Sequence, residues 1–206
     1  MTMSISLHLL AKAPRPGRVK TRLVPALGEQ GASDLQRFML ERTLALPAAG
    51  FSQRCLWLSD GPDLSVQHLA HAQGWTLMEQ PSGDLGERMR QIAVHGLSEC
   101  GAVVLIGNDC PVMDGAYLAA ACDALRHTDA VLGPAEDGGY VLLGLRRVEP
   151  RIFTAMPWGT EHIAALTRER LSELGWSQCS LAPLWDVDRP EDLPRLATLG
   201  ITLPAL

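Results

Sequence analysis

The sequence predicts an α/β fold built on a mostly parallel sheet, and two observations carry that expectation. Short apolar runs of strand length alternate with longer stretches whose apolar residues recur at helical spacing. The run Val103-Val104-Leu105-Ile106 is too short for a helix and stops at Gly107, with Pro111 barring any continuation. Apolar throughout, it reads as a strand buried on both faces. In an open α/β sheet, ligands bind outside the carboxyl ends of the strands. Asp109, two residues beyond Gly107, therefore stands where a carboxylate is placed to carry a metal ion. An Asp in a turn also bonds its own backbone, and both roles are open.

The remaining elements follow in order. Ile5–Ala11 is the first strand, and Lys12 to Leu23, punctuated by Pro14, Pro16 and Gly17, is a loop. A helix is expected over Ser33–Leu46, with Leu35, Phe38, Met39 and Leu46 at helical spacing and Pro47 beyond. Arg54–Ser59 is the second strand, Leu64–Ala72 a helix and Trp75–Glu79 the third strand. Asp84 and Glu87 form a D-x-x-E capping box for the next helix, whose stripe is Leu85, Met89, Ile92 and Ala93. Past the central strand, Asp114 caps a helix with Leu118, Ala121, Cys122 and Leu125 inward. Ala130–Leu132 and Tyr140–Leu145 are apolar runs flanking Gly133 to Gly139. Glu161–Leu174 is a helix with Ile163, Leu166, Arg170, Leu171 and Leu174 on one side and Gly175 as its stop. A last strand near Cys179–Leu184 leads to Asp188, Pro190 and Glu191, which read as the N-cap and first turn of a terminal helix.

At 206 residues, one domain spanning 1–206 is expected. The net charge of −5 gives no global basic field, so neither nucleic acid nor an anionic membrane surface is an expected partner. No run is long enough to span a bilayer and no signal peptide is recognisable. Five cysteines, an odd number with no C-x-x-C pair, argue against a disulfide framework and a structural zinc, so a cytoplasmic location is expected.

Four loops carry the chemistry. Lys12, Arg15, Lys20 and Arg22 with Gly17 among them suit polyphosphate, although neither G-x-x-x-x-G-K-[ST] nor G-x-G-x-x-G is present. Gln80 to Arg88, with Gly83 and Gly86, lets a base or phosphate approach the backbone, or simply caps a helix. Glu136-Asp137-Gly138-Gly139-Tyr140 reads either as a plain hairpin turn, for which Asp-Gly is preferred, or as a place where paired glycines beside two carboxylates leave room for a substrate over the sheet. Alternation puts Asp186 and Asp188 on the same side of an extended segment. Paired carboxylates opposite a basic loop suit Mg2+ or Mn2+ on a nucleotide.

These motifs, in this order, resemble a family. Ala11 to Leu23, Leu85-Gly86-Glu87-Arg88-Met89, Gly107-Asn108-Asp109-Cys110-Pro111, Gly133 to Tyr140, Trp158-Gly159-Thr160 and Asp186 to Leu193 are similar to the DUF2064 group of small bacterial glycosyltransferase-A (GT-A) proteins. That group is related to the 2-phospholactate and molybdenum cofactor guanylyltransferases. The resemblance, running from about residue 7 to residue 196, implies a Rossmann-like nucleotide-diphospho-sugar transferase fold. It implies metal ligation by Asp109 and Asp188, phosphate contacts from Lys20 and Arg22, and base recognition by Gln80 and Gly86. The glycine-rich start of the pyrophosphorylases is replaced by Lys12-Ala13-Pro14, and the sugar-transferase D-x-D triplet by Asn108-Asp109.

The resulting expectation is a metal-dependent transferase acting on a nucleoside phosphate or nucleotide sugar and a small-molecule acceptor. Lys20, Arg22 and Asp109 are its expected catalytic residues, with Lys12, Arg15, Gly17, Gln80, Gly86, Arg88, Gly138 and Gly139 around the nucleotide. Glycosyl and nucleotidyl transfer both remain open. The alternative is a catalytically inactive nucleotide- or sugar-binding module of the same fold.

Overall fold

The structure, a computed structural model, describes residues 3–200; residues 1–2 and 201–206 of the expected domain lie outside that range. Seven strands form one sheet: β1 (Ile5–Lys12), β2 (Gln53–Ser59), β3 (Thr76–Glu79), β4 (Ala102–Gly107), β5 (Ala130–Pro134), β6 (Tyr140–Leu145) and β7 (Gln178–Ser180). Their spatial order is β3-β2-β1-β4-β6-β5-β7. β1 runs parallel to both β2 and β4, and β6 is antiparallel to β4 and β5. The chain moves outward from β1 through β2 to β3, then returns to place β4 on the other side of β1. That reversal opens a crevice at the carboxyl ends of β1 and β4.

Side-chain alternation along the strands divides the core in two. Leu7, Leu9 and Ala11 face α1 (Val24–Leu44), α2 (Leu64–Ala72) and α4 (Gly115–Leu125), meeting Leu40, Leu44, Val66, Ala70, Leu118, Ala121, Cys122 and Leu125. On the opposite face Trp57, Val103, Leu105 and Leu143 meet α3 (Leu85–Glu99) and α5 (Ile163–Glu173) through Met89, Ile92, Ala93, Ala164 and Leu171. A third cluster joins Leu23, Leu27, Leu35 and Met39 to Trp185, Val187 and Leu196, the last on α6 (Leu193–Thr198). This cluster matters for function, because it holds the N-terminal loop beside the segment around residue 186.

Several expectations are corrected. α1 begins at Val24, not Ser33, with a kink at Gly28 whose φ of 68° breaks the helical run. Only half of the capping box forms. Asp84 accepts from the Glu87 amide at 2.8 Å, but the Glu87 carboxylate turns to Arg90 and Gln91. The buried face of α5 is Ile163, Ala164, Thr167 and Leu171, while Arg170 points away to the Thr154 and Ala155 carbonyls. The last strand ends at Ser180; past it the Leu181 amide bonds to the Leu132 carbonyl and Leu184 bridges to Ala135. Asp188 caps no helix: Asp192 accepts the Asp188 and Arg189 amides at 2.9 and 2.7 Å instead. Asp114 caps α4 as expected, its side chain accepting the Tyr117 amide, and Asp63, not singled out from the sequence, caps α2 by accepting the Ser65 and Val66 amides.

His8 shows how tightly α3 lies on the sheet. Its Nδ1 accepts from Trp57 Nε1 at 2.8 Å and its Nε2 meets Ser6 Oγ at 2.9 Å, so the neutral tautomer donates through Nε2. A Cβ on Gly96 would lie 2.6 Å from Nε2, so only glycine fits there. Burial, helped by neighbouring His95, pushes the His8 pKa down to about 4. The native ring therefore stays neutral while the unfolded one protonates near pH 6.5. Its contribution to stability is intact above pH 6.5 and is lost as the pH falls toward 4. The full shift corresponds to at most about 3 kcal/mol. In thermal melts between pH 7 and pH 4, His8→Gln should lose stability less steeply than wild type. Parallel curves would remove His8 from the acid response.

All five cysteines are free. Among the described residues no helix is long and apolar enough to cross a membrane.

Candidate functional site

A cavity of about 460 Å³ opens over the crevice. Its floor is the carboxyl ends of β1, β2 and β4 with Gln80 after β3, and its walls are the first turns of α3, the β5–β6 hairpin, residues 158–160 and the segment 186–188. Three chain segments meet at Lys20. Its ammonium donates to Asp109 Oδ1 at 2.6 Å and to the Val187 carbonyl at 2.8 Å. The Val187 amide returns a bond to the Asp109 carbonyl at 2.9 Å. Lys20 adopts left-handed backbone angles, φ 43° and ψ 44°, which cost a non-glycine residue about 1–2 kcal/mol. The triple junction holds it there. Its side chain is only 3% exposed, against 49% for Asp109.

Among the expected site residues, Lys12, Lys20, Gln80, Arg88, Asp109, Gly139 and Asp188 line this cavity. Arg22 does not, but it ion-pairs with Asp188, which does. The others do different work. Arg15 donates to the carbonyls of Asp60 and Pro62, pinning the loop to the turn after β2. Gly17 turns the chain at φ 72° against Glu29. An added Cβ on Gly86 would overlap the Phe153 carbonyl oxygen and approach Trp158 Nε1, so this glycine is a packing requirement between α3 and its neighbours. Gly138 is similar, crowded by the Glu161 backbone, and its carbonyl accepts the Ala164 amide at 3.0 Å. Gln80 lines the cavity with its polar atoms already used: Nε2 donates to Ala11 and Trp57 carbonyls, both at 3.0 Å, and Oε1 accepts from Arg88 at 3.2 Å. Base recognition by Gln80 would require breaking that brace.

Ser59, not singled out from the sequence, also lines the cavity, as do Asn108, Asp137, Tyr140, Trp158 and Asp186, which belong to the sequence loops and motifs but not to the expected set of site residues. Asn108 is 2% exposed and its Nδ2 has no hydrogen-bond partner among the described residues; Ser59 Oγ is likewise unpartnered. Both stand at or just past the carboxyl ends of strands flanking β1, which was the available signal. Trp158 and Tyr140 pack edge to face, 6.3 Å between ring centroids.

The charges are unevenly spread. Lys12 and Arg88 stand on the β1 and α3 side, whereas Asp137 and Asp186 stand on the hairpin side. Burial, followed by the charges of Asp137 and Asp109 and then that of Asp188, pushes the Asp186 pKa up to about 6. The unfolded carboxyl ionises near pH 3.8, so the native state carries a penalty that is complete above about pH 6 and relieved as the pH falls toward 3.8. Asp186→Asn should therefore stabilise the metal-free protein at pH 8 by about 1 kcal/mol, discounted for the water that reaches the site, and by nothing at pH 4. Urea unfolding at both pH values tests this, and equal shifts at the two would refute the charge argument.

Hard oxygen donors under mutual repulsion fit a hard divalent cation. Among the described residues no three His, Cys, Asp or Glu side chains group as a closed metal cage. Mg2+, however, is commonly held by one or two carboxylates with substrate phosphates completing the shell. Asp109 and Asp188 fit that mode.

A family model described as an uncharacterized protein conserved in bacteria (DUF2064) matches residues 43–160. A candidate nucleotide-diphospho-sugar transferase from Desulfovibrio desulfuricans G20 is 29% identical, with a TM-score of 0.86 over 96% of this chain and 88% of that one. A cytidylyltransferase from Leptospira borgpetersenii serovar Hardjo-bovis is 14% identical, with a TM-score of 0.61 over 97% and 88%. Glucosyl-3-phosphoglycerate synthase from Mycobacterium tuberculosis, crystallised with Mn2+, uridine diphosphate and phosphoglyceric acid, is 13% identical, with a TM-score of 0.55 over 97% and 80%. The last two likenesses concern the fold alone. No curated protein matches. The α/β fold is that of the nucleotide-diphospho-sugar transferases.

Proposed function

The chain belongs to the DUF2064 family of bacterial proteins, and from that premise we propose that it is a divalent-metal-assisted transferase acting on an activated nucleotide. The observation that carries this reading is the Lys20–Asp109–Val187 junction at the carboxyl ends of parallel strands, where a buried cation and a half-exposed carboxylate face one cavity. Asp109 and Asp188 would hold Mg2+ or Mn2+, which would supply charge neutralisation on phosphate oxygens. Lys12 and Arg88 would bind and orient the nucleotide from the other side. Lys20, once a phosphate competes with Asp109, donates a charge-assisted hydrogen bond to it. Fixed donors aimed at developing charge lower the barrier of glycosyl and nucleotidyl transfer alike. The proposal includes one domain over residues 1–206 and a cytoplasmic location.

A second reading, an inactive nucleotide- or sugar-binding module, is favoured by one observation: Asp109 and Asp188 are already paired with Lys20 and Arg22. A thermal-shift screen of nucleoside di- and triphosphates and nucleotide sugars, each with and without Mn2+, separates the readings. The transferase reading expects stabilisation that depends on Mn2+ and is lost in Asp188→Asn. That variant should fold normally, since Asp188 caps no helix and its exposed pair with Arg22 is worth at most about 1 kcal/mol. Stabilisation by nucleotide alone, unchanged by Mn2+, supports the binding module. No shift with any nucleotide defeats both.

A further inference from the structure

We propose that the half of the cavity walled by the β5–β6 hairpin and residues 158–160 binds an uncharged, hydroxyl-bearing acceptor, a monosaccharide or polyol; this rests on the transferase reading above. Charge is the first support. Asp137 and Asp186 on this side have no cationic partner among the described residues. Lys12 and Arg88 line the far side, and Lys20 serves Asp109 or, with nucleotide bound, its phosphate. A phosphorylated or carboxylated acceptor would bring like charge against two carboxylates inside a partly closed cavity, where screening is weak. Hydroxyl groups are donors, and carboxylates are pure acceptors.

Shape is the second support. Trp158 is half-buried, packs edge to face with Tyr140, and both border the same space. An indole face accepts the apolar C–H face of a sugar ring while its surroundings bond the ring's hydroxyls. The third support is the floor. Asn108 is nine-tenths buried and more, its Nδ2 lacks a partner among the described residues, and it borders the cavity between the two halves. Buried amides of this kind are satisfied in nearly all folded proteins, so a ligand oxygen is the fitting partner.

A neutral acceptor points to glycosyl rather than nucleotidyl transfer. The acceptor oxygen bonds to the anomeric carbon of a nucleotide sugar as the bond from that carbon to the diphosphate oxygen breaks. The electron pair leaves on the nucleoside diphosphate and the hydroxyl proton passes to water.

The test is ligand-observed NMR on the full chain loaded with Mn2+ and whichever nucleoside diphosphate shifts its melting temperature. The probes are matched sets: neutral monosaccharides and polyols, their phosphate esters and their uronic acids. Wild type should bind the best neutral probe at least tenfold more tightly than its charged counterparts. Asp137→Asn, whose amide oxygen can still accept the Gly139 amide that Asp137 now accepts at 2.8 Å, should narrow that gap, and Asp137→Lys should reverse it. Trp158→Leu should weaken the neutral probes about tenfold without altering nucleotide binding. Preference for charged probes, or no probe binding to protein that still binds nucleotide, overturns this inference alone. Failure of every nucleotide to bind overturns the transferase reading and this inference with it.

Discussion

Asp109→Asn is expected to cost about 2 kcal/mol of stability and to abolish Mn2+-dependent nucleotide binding. The stability loss arises at the other end of the pair. Lys20 is almost wholly enclosed, 3% exposed, while Asp109 is 49% exposed. Replacing the carboxylate by an amide leaves the buried ammonium with two neutral acceptors, the amide oxygen and the Val187 carbonyl, and no counter-charge. Breaking a fully buried pair from one side costs about 3–5 kcal/mol, and the open side of Asp109 reduces that. Lys20→Met should be far milder, because the orphaned Asp109 can turn to water and the thioether fills the lysine's tunnel. The double variant should recover most of the loss, since removing both partners leaves no buried charge. Urea unfolding of the three variants decides the matter. Equal costs for the two single changes would show that the asymmetry of burial has no energetic consequence.

The second large effect is expected at Gly138→Ala, about 3 kcal/mol or more. Gly138 has φ 89°, which an L side chain rarely adopts, and an added Cβ would overlap the Glu161 carbonyl oxygen. Left-handed strain of about 1–2 kcal/mol and overpacking of about 1–3 kcal/mol fall on the same residue. The clash also pushes on the bond from the Ala164 amide to the Gly138 carbonyl, which seats the start of α5 against the hairpin. Gly159→Ala is the control: its φ of 80° carries the same backbone strain, but nothing lies within 4 Å of the added Cβ. It should cost no more than about 1–2 kcal/mol. If thermal or denaturant unfolding gives the two variants the same loss, the close approach to Glu161 is not real.

Much of the architecture was legible because it depends on local periodicity. Leu64–Ala72 and the inward face of α4 stand where apolar spacing puts them, since one face of each helix is buried, and Tyr140–Leu145 is legible as a continuous apolar run because that strand is buried on both faces. The misplaced start of α1 has a structural cause: the chain kinks at Gly28, φ 68°, and the helix continues across it because Leu23, Leu27, Leu35 and Met39 pack on one cluster. The face of α5 was misjudged at Arg170, whose aliphatic length fits an apolar stripe while its guanidinium serves carbonyls outside the helix.

By itself the sequence determined the alternation of strands and helices, the family, and the placement of Lys12, Lys20, Asp109 and Asp188 around one cavity, since each follows a strand end or a recognisable motif. Only the tertiary structure decided what their neighbours do. Glycine looks the same in sequence whether a ligand or a carbonyl fills the space beside it, and at Gly86 and Gly138 it is a carbonyl. An amide's free valences depend on contacts that cross the sheet, and those of Gln80 are spent on Ala11, Trp57 and Arg88. Asp188 was freed from capping by Asp192, four residues on, and the Asp186 carboxyl was made a weaker acid by burial and then by Asp137 and Asp109, dozens of residues away along the chain. Hydrogen bonding and Coulomb forces act through space, so residue order alone does not contain those distances.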